Sequence, residues 1–231
     1  MAGPPIDRDR ILRDFDGTAR LFPLPSVVLF PDGFAPLHVF EERYLEMVKE
    51  AIPDDGLIAT ALLTPGYEQD YHGTPELHPV VCLGRILRPR SHPNGEIDLL
   101  LYGLARARIE EEIPSQPFRR ARVEVLEDVV EPGRHEAVAD RLRRALDLIP
   151  GRQPMLWGIR QMAAQLRGVD AAPGRYADAV AHASDLPKDA LYEALAEVDV
   201  LKRFEILIGH LERRAAEGAP SAIDVANPNL N

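Results

Sequence analysis

The chain has 231 residues, 45% of them apolar and 28% charged, the composition of an ordinary globular protein with one large or two small domains. Its 27 basic and 37 acidic side chains give a formal net charge of −10, which argues against general nucleic-acid binding because that requires a basic face. The single cysteine excludes an intrachain disulfide, and neither a secretory signal nor a membrane-spanning apolar stretch is found, so we expect a soluble cytoplasmic protein.

The first half of the chain is predicted to be rich in β-strands. Residues 1–20 are polar and charged, and we expect them to form a loose N-terminal lead-in. From residue 21 to residue 130, short apolar runs alternate with proline and glycine, which is typical of a β subdomain. The runs predict strands over 27–30, 57–63, 80–87, 96–102, 105–109 and 119–126.

Two local signals organise this β subdomain. The sequence His-Pro-Asn-Gly at 92–95 favours a tight hairpin, because its Asn-Gly step accepts the positive φ angles that such a turn needs. We therefore expect the strands 80–87 and 96–102 to pair antiparallel. Over 41–52, apolar side chains recur at helical spacing, which predicts one helix inserted among the strands.

The second half of the chain is predicted to be helical. Apolar residues recur there at intervals of three and four, which predicts helices over 138–149, 156–166, 176–183, 187–198 and 200–211. We assign residues 131–217 to a helical bundle subdomain and residues 218–231, which are rich in proline and asparagine, to a frayed tail. A run of strands followed by a run of helices indicates an α+β protein.

The most specific motif lies at the start of the β subdomain. It consists of LFPL at 21–24, VLFP at 28–31 and PLHVFEERY at 36–44, followed by Met47. This pattern resembles the opening of the N-terminal, substrate-binding domain of Lon proteases, and weaker likenesses extend the match over residues 20–212. Asp32 departs from the family pattern, because it separates Pro31 from Gly33.

The resemblance implies both a fold and a function. The fold would be a PUA-like small β-barrel with one inserted helix, followed by a C-terminal helical bundle. In full-length Lon such a domain engages unfolded polypeptides ahead of the ATPase ring, so the resemblance implies a module that binds unfolded polypeptide or a partner protein. Within the motif we expect the apolar side chains to supply the core, namely Phe22, Leu24, Phe30, Leu37 and Phe40.

Sequence motifs for enzymatic chemistry are missing. None of the lysines at 49, 188 and 202 follows the Gly-rich loop that holds nucleotide phosphates. No lysine follows Ser221, as a serine–lysine peptidase would require. We therefore expect a stand-alone form of the domain that lacks the ATPase and the peptidase, is not an enzyme, and uses no cofactor or metal.

Two other functions stay open. PUA-like barrels can bind RNA, although the acidic net charge counts against this. An unrecognised hydrolase could use Cys82 as its nucleophile, with His72 or His78 as the general base. Alternatively, His72, His78 and Cys82 could be ligands of a zinc ion. Cys82 lies in the apolar run 80–83, however, which favours a buried structural thiol.

Candidate peptide contacts lie in one loop. Tyr67 and Tyr71 fall within residues 65–73, which are rich in polar and turn-forming side chains. Aromatic side chains on an exposed loop are plausible contacts for a polypeptide. The alternative is that each tyrosine folds back over the β subdomain as a lid. His38 is interpreted as an ordinary polar residue at the edge of the barrel.

Overall fold

The computed structural model describes residues 6–70, 73–149 and 172–217. The described residues up to Leu126 form one compact unit, and those from Glu127 onward form a second. The first unit contains, in chain order, α1 (Arg8–Asp14), β1 (Thr18–Leu24), β2 (Phe34–Val39), α2 (Glu42–Ala51), β3 (Leu57–Leu62), a short 3₁₀ helix (Tyr67–Asp70), β4 (Val80–Ser91), β5 (Ile97–Ile113) and β6 (Arg120–Leu126).

The six strands form one mixed sheet in the order β2-β5-β4-β3-β1-β6. β1 and β3 are parallel, and the other neighbouring strands are antiparallel. β6 also pairs with β5, because β5 is long enough to pair with two strands along the same side. The residues of β5 up to Tyr102 pair with β2, and the residues of β5 from Arg106 onward pair with β6. This arrangement places β2 at the edge of the sheet.

Strand alternation and the amphipathic helix α2 build the main apolar core of the first unit. On β5, Ile97, Leu99 and Leu101 are buried, whereas the residues between them are half-buried. They belong to one apolar cluster with Met47 and Val48, which α2 buries completely. Full burial of such a side chain contributes about 1.5–3 kcal/mol, so this face fixes the position of α2.

A second apolar cluster explains why a helix forms near the N-terminus. Leu12 of α1 and the following Phe15 pack against buried residues of the sheet. Asp7 caps the helix, because its carboxylate accepts a 3.0 Å hydrogen bond from a backbone N–H of the first turn. The sequence predicted a loose lead-in over 1–20, but the structure has α1 in this stretch and starts β1 at Thr18.

The strand predictions are largely confirmed. β3, β4 and β6 correspond to the predictions over 57–63, 80–87 and 119–126. The predicted hairpin is also confirmed, since β4 and β5 pair antiparallel with Leu87 opposite Leu100. The two strands predicted over 96–102 and 105–109 are parts of the single strand β5.

The strand predicted over 27–30 is wrong, because a tight turn begins there. The N–H of Gly33 donates to the carbonyl of Phe30 at 3.0 Å, with Pro31 and Asp32 at the centre of the turn. Asp32 has a φ of 61°, a left-handed conformation that aspartate tolerates, which accounts for its place in the motif. The turn lies against Gly103, whose carbonyl accepts from the N–H of Asp32 at 2.9 Å.

The second unit contains the helices α3 (His135–Leu148), α4 (Gly174–Ala183), α5 (Lys188–Ala196) and α6 (Val200–Ala216). α6 contacts the other three and buries Phe204, Leu207 and Leu211 among them. These helices confirm the predictions over 138–149, 176–183, 187–198 and 200–211. The helix predicted over 156–166 and the tail 218–231 lie outside the described residues.

The strands and helices together confirm the predicted α+β class. Within the described ranges, no helix is both long enough and apolar enough to span a bilayer.

Candidate binding surface

The edge strand β2 exposes alternate side chains. Phe34 is 46% exposed, and Phe40, just beyond the strand, is 62% exposed. Ala35 and Val39 are buried, so the two-residue period of a strand places residues 34, 36, 38 and 40 on the outer face. The prediction that Phe40 belongs to the core is therefore wrong, because strand alternation turns its ring outward.

β5 extends this outer face. The antiparallel register sets Phe34 opposite Tyr102 and Pro36 opposite Leu100. The centroids of the Phe34 and Tyr102 rings are 5.0 Å apart at an interplanar angle of 43°, within the range that favours aromatic pairs. We name this surface the outer apolar strip and define it as Phe34, Pro36, Phe40, Leu100 and Tyr102.

The backbone of β2 limits how this edge can pair. The N–H of Gly103 donates to the carbonyl of Gly33 at 2.9 Å, so Gly33 and Gly103 form a hydrogen-bonded pair. Because such pairs alternate along an antiparallel ladder, the backbone N–H and C=O groups of residues 35, 37 and 39 also point toward β5. The backbone groups of residues 34, 36 and 38 consequently point away from β5. Pro36 has no N–H and interrupts this row of donors, which protects an edge from uncontrolled strand addition. The strip is therefore suited to contacts through its side chains.

A polar cluster lies on the same face, between Pro36 and Phe40. His38 Nδ1 lies 2.7 Å from Asp98 Oδ1, and His92 Nε2 lies 2.6 Å from Asp98 Oδ2. His38 Nε2 also lies 3.1 Å from Glu96 Oε2. We call these four residues, each partly exposed, the histidine–carboxylate cluster. The sequence placed His38 at an edge but missed its partners, because 60 residues separate His38 from Asp98.

The hydrogen bonds of this cluster shift its proton affinities. The hydrogen bond to Asp98 raises the pKa of His38, and hydrogen bonds to His38 and His92 lower the pKa of Asp98. Since the pKa of His38 is higher in the folded protein, its charged form stabilises the fold. That contribution is complete below the unfolded pKa of about 6.5 and is lost as the pH rises through the folded pKa of His38.

We expect the substitution Asp98→Asn to lower the pKa of His38, because it removes the carboxylate that holds the proton. An NMR titration of the imidazole resonances of the wild type and of D98N measures this shift. Glu96→Gln is expected to lower the pKa of His38 by a smaller amount, since Glu96 acts on it less strongly. Identical His38 titration curves in the wild type and D98N would contradict the assigned hydrogen bond.

The predicted tyrosine contacts lie in a different part of the chain. Tyr67 is half-buried at the start of the 3₁₀ helix, and Tyr71 lies outside the described residues. β4, the next strand after Tyr67 along the chain, begins at Val80, seven residues before Leu87, which is opposite Leu100 of the strip. At about 3.3 Å per residue, that is roughly 20 Å along the strand. A role for the two tyrosines in peptide binding stays a prediction.

Cys82 is fully buried, as predicted for a structural thiol. A sulfur that solvent does not reach is unsuited to attack a substrate, which argues against the hydrolase alternative. His72 lies outside the described residues. Among the residues that the structure describes, the group with the spacing of metal ligands is His38, His92 and Asp98, and it does not include Cys82.

The helical unit contains a cleft of about 470 Å³ near the end of α6. Two of its cationic side chains bind within the wall: Arg214 contacts Asp185 Oδ2 at 2.9 Å, and Arg213 contacts His210 at 3.0 Å. These two cationic side chains thus already have partners within the cleft wall, whereas the outer apolar strip exposes the side chains of Phe34 and Phe40.

Comparison with known protein families decides the relationship of the chain. The profile described as the ATP-dependent protease La (LON) substrate-binding domain matches residues 18–213. The chain belongs to this family. The resemblance that the motif over 21–47 indicated is thereby confirmed. The matched family is the substrate-binding part of Lon, which is separate from its ATPase and protease parts.

Full-length Lon proteases are among the relatives of this Lon domain. The chain is 27% identical over 218 residues to the Lon protease of Anaeromyxobacter dehalogenans and 28% identical over 200 residues to Lon protease 2 of Myxococcus xanthus. The alignments cover 92% and 84% of the chain but 25% and 23% of the relatives. The chain thus spans about a quarter of the length of these proteins.

Two solved structures share the fold of this Lon domain. The Lon N-terminal domain protein from Xanthomonas campestris superposes with a TM-score of 0.57 at 23% identity, covering 83% of this chain and 97% of that one. The N-terminal domain of the Mycobacterium avium complex Lon protease superposes with a TM-score of 0.63 at 14% identity, covering 84% and 98%. At these identities the likeness establishes the fold.

Proposed function

We propose that this chain is a non-catalytic module that binds unfolded or extended polypeptide through the outer apolar strip. The observation that carries the proposal is the exposure of two phenylalanine side chains, Phe34 and Phe40, on one face of an edge strand. Apolar side chains grouped on a surface mark sites of interaction. Membership of the Lon substrate-binding domain family supports the same role.

The geometry of the strip fits an extended chain. Side chains on one face of an extended polypeptide repeat about every 6.6 Å, the same spacing as the outward residues of β2. Alternate apolar side chains of a bound segment can therefore contact Phe34 and then the next outward-facing side chains along β2. Since Pro36 withholds a backbone donor, binding depends more on side chains than on a full β-ladder. Such recognition selects apolar, unfolded segments rather than one sequence.

Tyr67 and Tyr71 are proposed as secondary contacts for the same class of ligand. Aromatic side chains of this kind can add apolar contact to a polypeptide that extends beyond the strip. A partner protein with an exposed apolar segment would use the same chemistry.

Removing either exposed phenylalanine is expected to weaken binding. Burial of a phenylalanine side chain contributes about 1.5–3 kcal/mol, so Phe34→Ser and Phe40→Ser should each raise the Kd about 10-fold or more. The measurement is fluorescence anisotropy with a labelled, reduced and alkylated model polypeptide. Ile52→Ser is the matched control, since Ile52 is 44% exposed but lies after α2, outside the strip. Its Kd should stay within about twofold of the wild type.

Several outcomes of this experiment would contradict the proposal. Equal weakening by Phe34→Ser and Ile52→Ser would show that the strip is not the site. A salt-sensitive shift of single-stranded RNA without polypeptide binding would favour the RNA alternative. Cleavage of the model polypeptide would contradict a non-catalytic role. A Tyr67→Ser variant in the same series tests the secondary contact.

A further inference from the structure

We propose that His38, His92 and Asp98 form a binding site for a divalent transition-metal ion of the Zn²⁺ class, with Glu96 orienting His38. Imidazole nitrogen and carboxylate oxygen are ligands that such ions prefer. One ligand atom from each of the three residues lies within 4.8 Å of the others. The proposal stands independently of polypeptide binding.

The distances in the cluster suit a site that an ion can enter. Zn²⁺ lies about 2.0–2.1 Å from such ligands, which places neighbouring ligand atoms of a tetrahedral site about 3.3 Å apart. The two imidazole nitrogens lie 2.7 and 2.6 Å from the oxygens of Asp98. Side-chain movements of less than about 1 Å therefore make room for the ion. The side chains of His38 and Asp98 are 51% and 47% exposed, so they can make these movements.

The backbone holds the ligands together in advance. The β4–β5 hairpin supplies His92 and Asp98, and its turn is closed by the N–H of Gly95, which donates to the carbonyl of His92 at 3.0 Å. The N–H of His92 donates to the carbonyl of Glu96 at 2.8 Å, which fixes the start of β5 beside it. The register of β2 then sets His38 opposite Asp98. The ion would thus be held by two strands, β2 and β5, and by the turn that joins β4 to β5, with two ligands from one hairpin.

Glu96 completes the arrangement as a positioning residue. When His38 binds the ion through Nδ1, its Nε2–H can donate to Glu96 Oε2, which lies 3.1 Å away. A carboxylate behind a metal-bound histidine fixes the ring and its tautomer. The hydrogens that the imidazoles share with Asp98 move to the other ring nitrogens or leave to solvent as the ion enters. Two carboxylates in the cluster favour a cation, and the fourth coordination position stays open to water.

Isothermal titration calorimetry of the intact chain with Zn²⁺ tests the site. We expect one ion per chain, with binding weakened at least about 100-fold by His92→Gln or Asp98→Asn and about 10-fold by Glu96→Ala. Titration with Co²⁺ should produce the visible absorption bands of tetrahedral coordination, and Asp98→Asn should abolish them. His210→Gln is the matched control, because His210 contacts one carboxylate, that of Glu193, at 2.8 Å. It should leave binding unchanged.

Two results would overturn the proposal. One is the absence of saturable Zn²⁺ binding by the wild-type chain. The other is Zn²⁺ binding that persists in both His92→Gln and Asp98→Asn. If His78→Gln then abolished this binding, the ion would be assigned to another group of histidines. The cluster is partly exposed, so the variants should keep the wild-type far-ultraviolet circular dichroism spectrum. Polypeptide binding is measured without metal, so failure of either proposal is distinguishable from failure of the other.

Discussion

Replacing Arg203 by methionine is expected to destabilise the helical unit by about 3–5 kcal/mol. Arg203 lies on α6, and its side chain is completely buried. It donates to Asp178 Oδ1 at 2.9 Å, and the side chain of Asp178 is itself only 3% exposed. The Nε of Arg203 donates to the carbonyl of Glu197 at 2.9 Å, and its Nη2 donates to Asp128 Oδ1. Methionine keeps much of the side-chain volume but leaves the buried Asp178 carboxylate without the guanidinium. The loss of stability follows from that uncompensated charge.

The destabilisation should spread through one part of the helical unit. Asp128 belongs to the segment that enters the unit, and this segment is also held by backbone hydrogen bonds. The N–H of Val129 donates to the carbonyl of Val198 at 2.8 Å, and the N–H of Val200 donates to the carbonyl of Val129 at 3.0 Å. Arg203 thus joins the entering segment, α4 and the start of α6. Hydrogen exchange in Arg203→Met should accelerate first in these three places.

Urea unfolding followed by far-ultraviolet circular dichroism measures the loss, and two variants control it. Arg141→Met removes an exposed pair with Glu205, whose atoms are 3.3 Å apart, and should cost less than about 1 kcal/mol. Adding Asp178→Asn to Arg203→Met removes the buried charge and should recover part of the loss. Equal costs for Arg203→Met and Arg141→Met would show that the buried network contributes no more than a surface pair.

The sequence predicts the parts of this molecule that local rules determine. The Asn-Gly turn at 92–95 predicted the β4–β5 hairpin, and apolar periodicity predicted α2 and the helices of the second unit. Arg203 could have been noticed by the same rule, because it lies on the apolar stripe that Val200, Phe204 and Leu207 form along α6. A charged residue in such a stripe indicates a buried ion pair, although its partners cannot be read from spacing.

The candidate sites depend on strand register, which the sequence alone does not determine. Phe40 was assigned to the core because the motif around it is apolar, but its exposure follows from the position of β2 at the sheet edge. The pairing of His38 with Asp98 requires β2 to align with β5 at one particular register. A slip of one residue would send the strip inward and separate the cluster. The turn at 30–33, which precedes β2, helps to set that register.

Gly103→Ala is therefore expected to damage both the sheet and the strip, at a cost of about 3 kcal/mol in stability. A Cβ atom on Gly103 would overlap the carbonyl oxygen of Phe30 and would lie 3.2 Å from the sulfur of Cys82. The carbonyl is a backbone atom inside the turn at 30–33, so it cannot move without disturbing the two hydrogen bonds between the turn and Gly103. Asp32, which also binds the hydroxyl of Tyr102, would move with it.

The expected signature of Gly103→Ala is local. Hydrogen exchange should accelerate in peptides covering 29–34 and 99–105, and binding of the model polypeptide should weaken because Tyr102 belongs to the strip. Gly209→Ala is the control, and it is expected to raise the free energy of unfolding instead of lowering it. The new Cβ would lie at an ordinary contact distance of 3.8 Å from Arg213. The higher helix propensity of alanine should therefore stabilise α6 by about 1 kcal/mol. If Gly103→Ala left exchange over 29–34 unchanged, the turn would not depend on the close approach of Gly103. The register of β2, and with it the outer apolar strip, would then be set by the β2–β5 ladder alone.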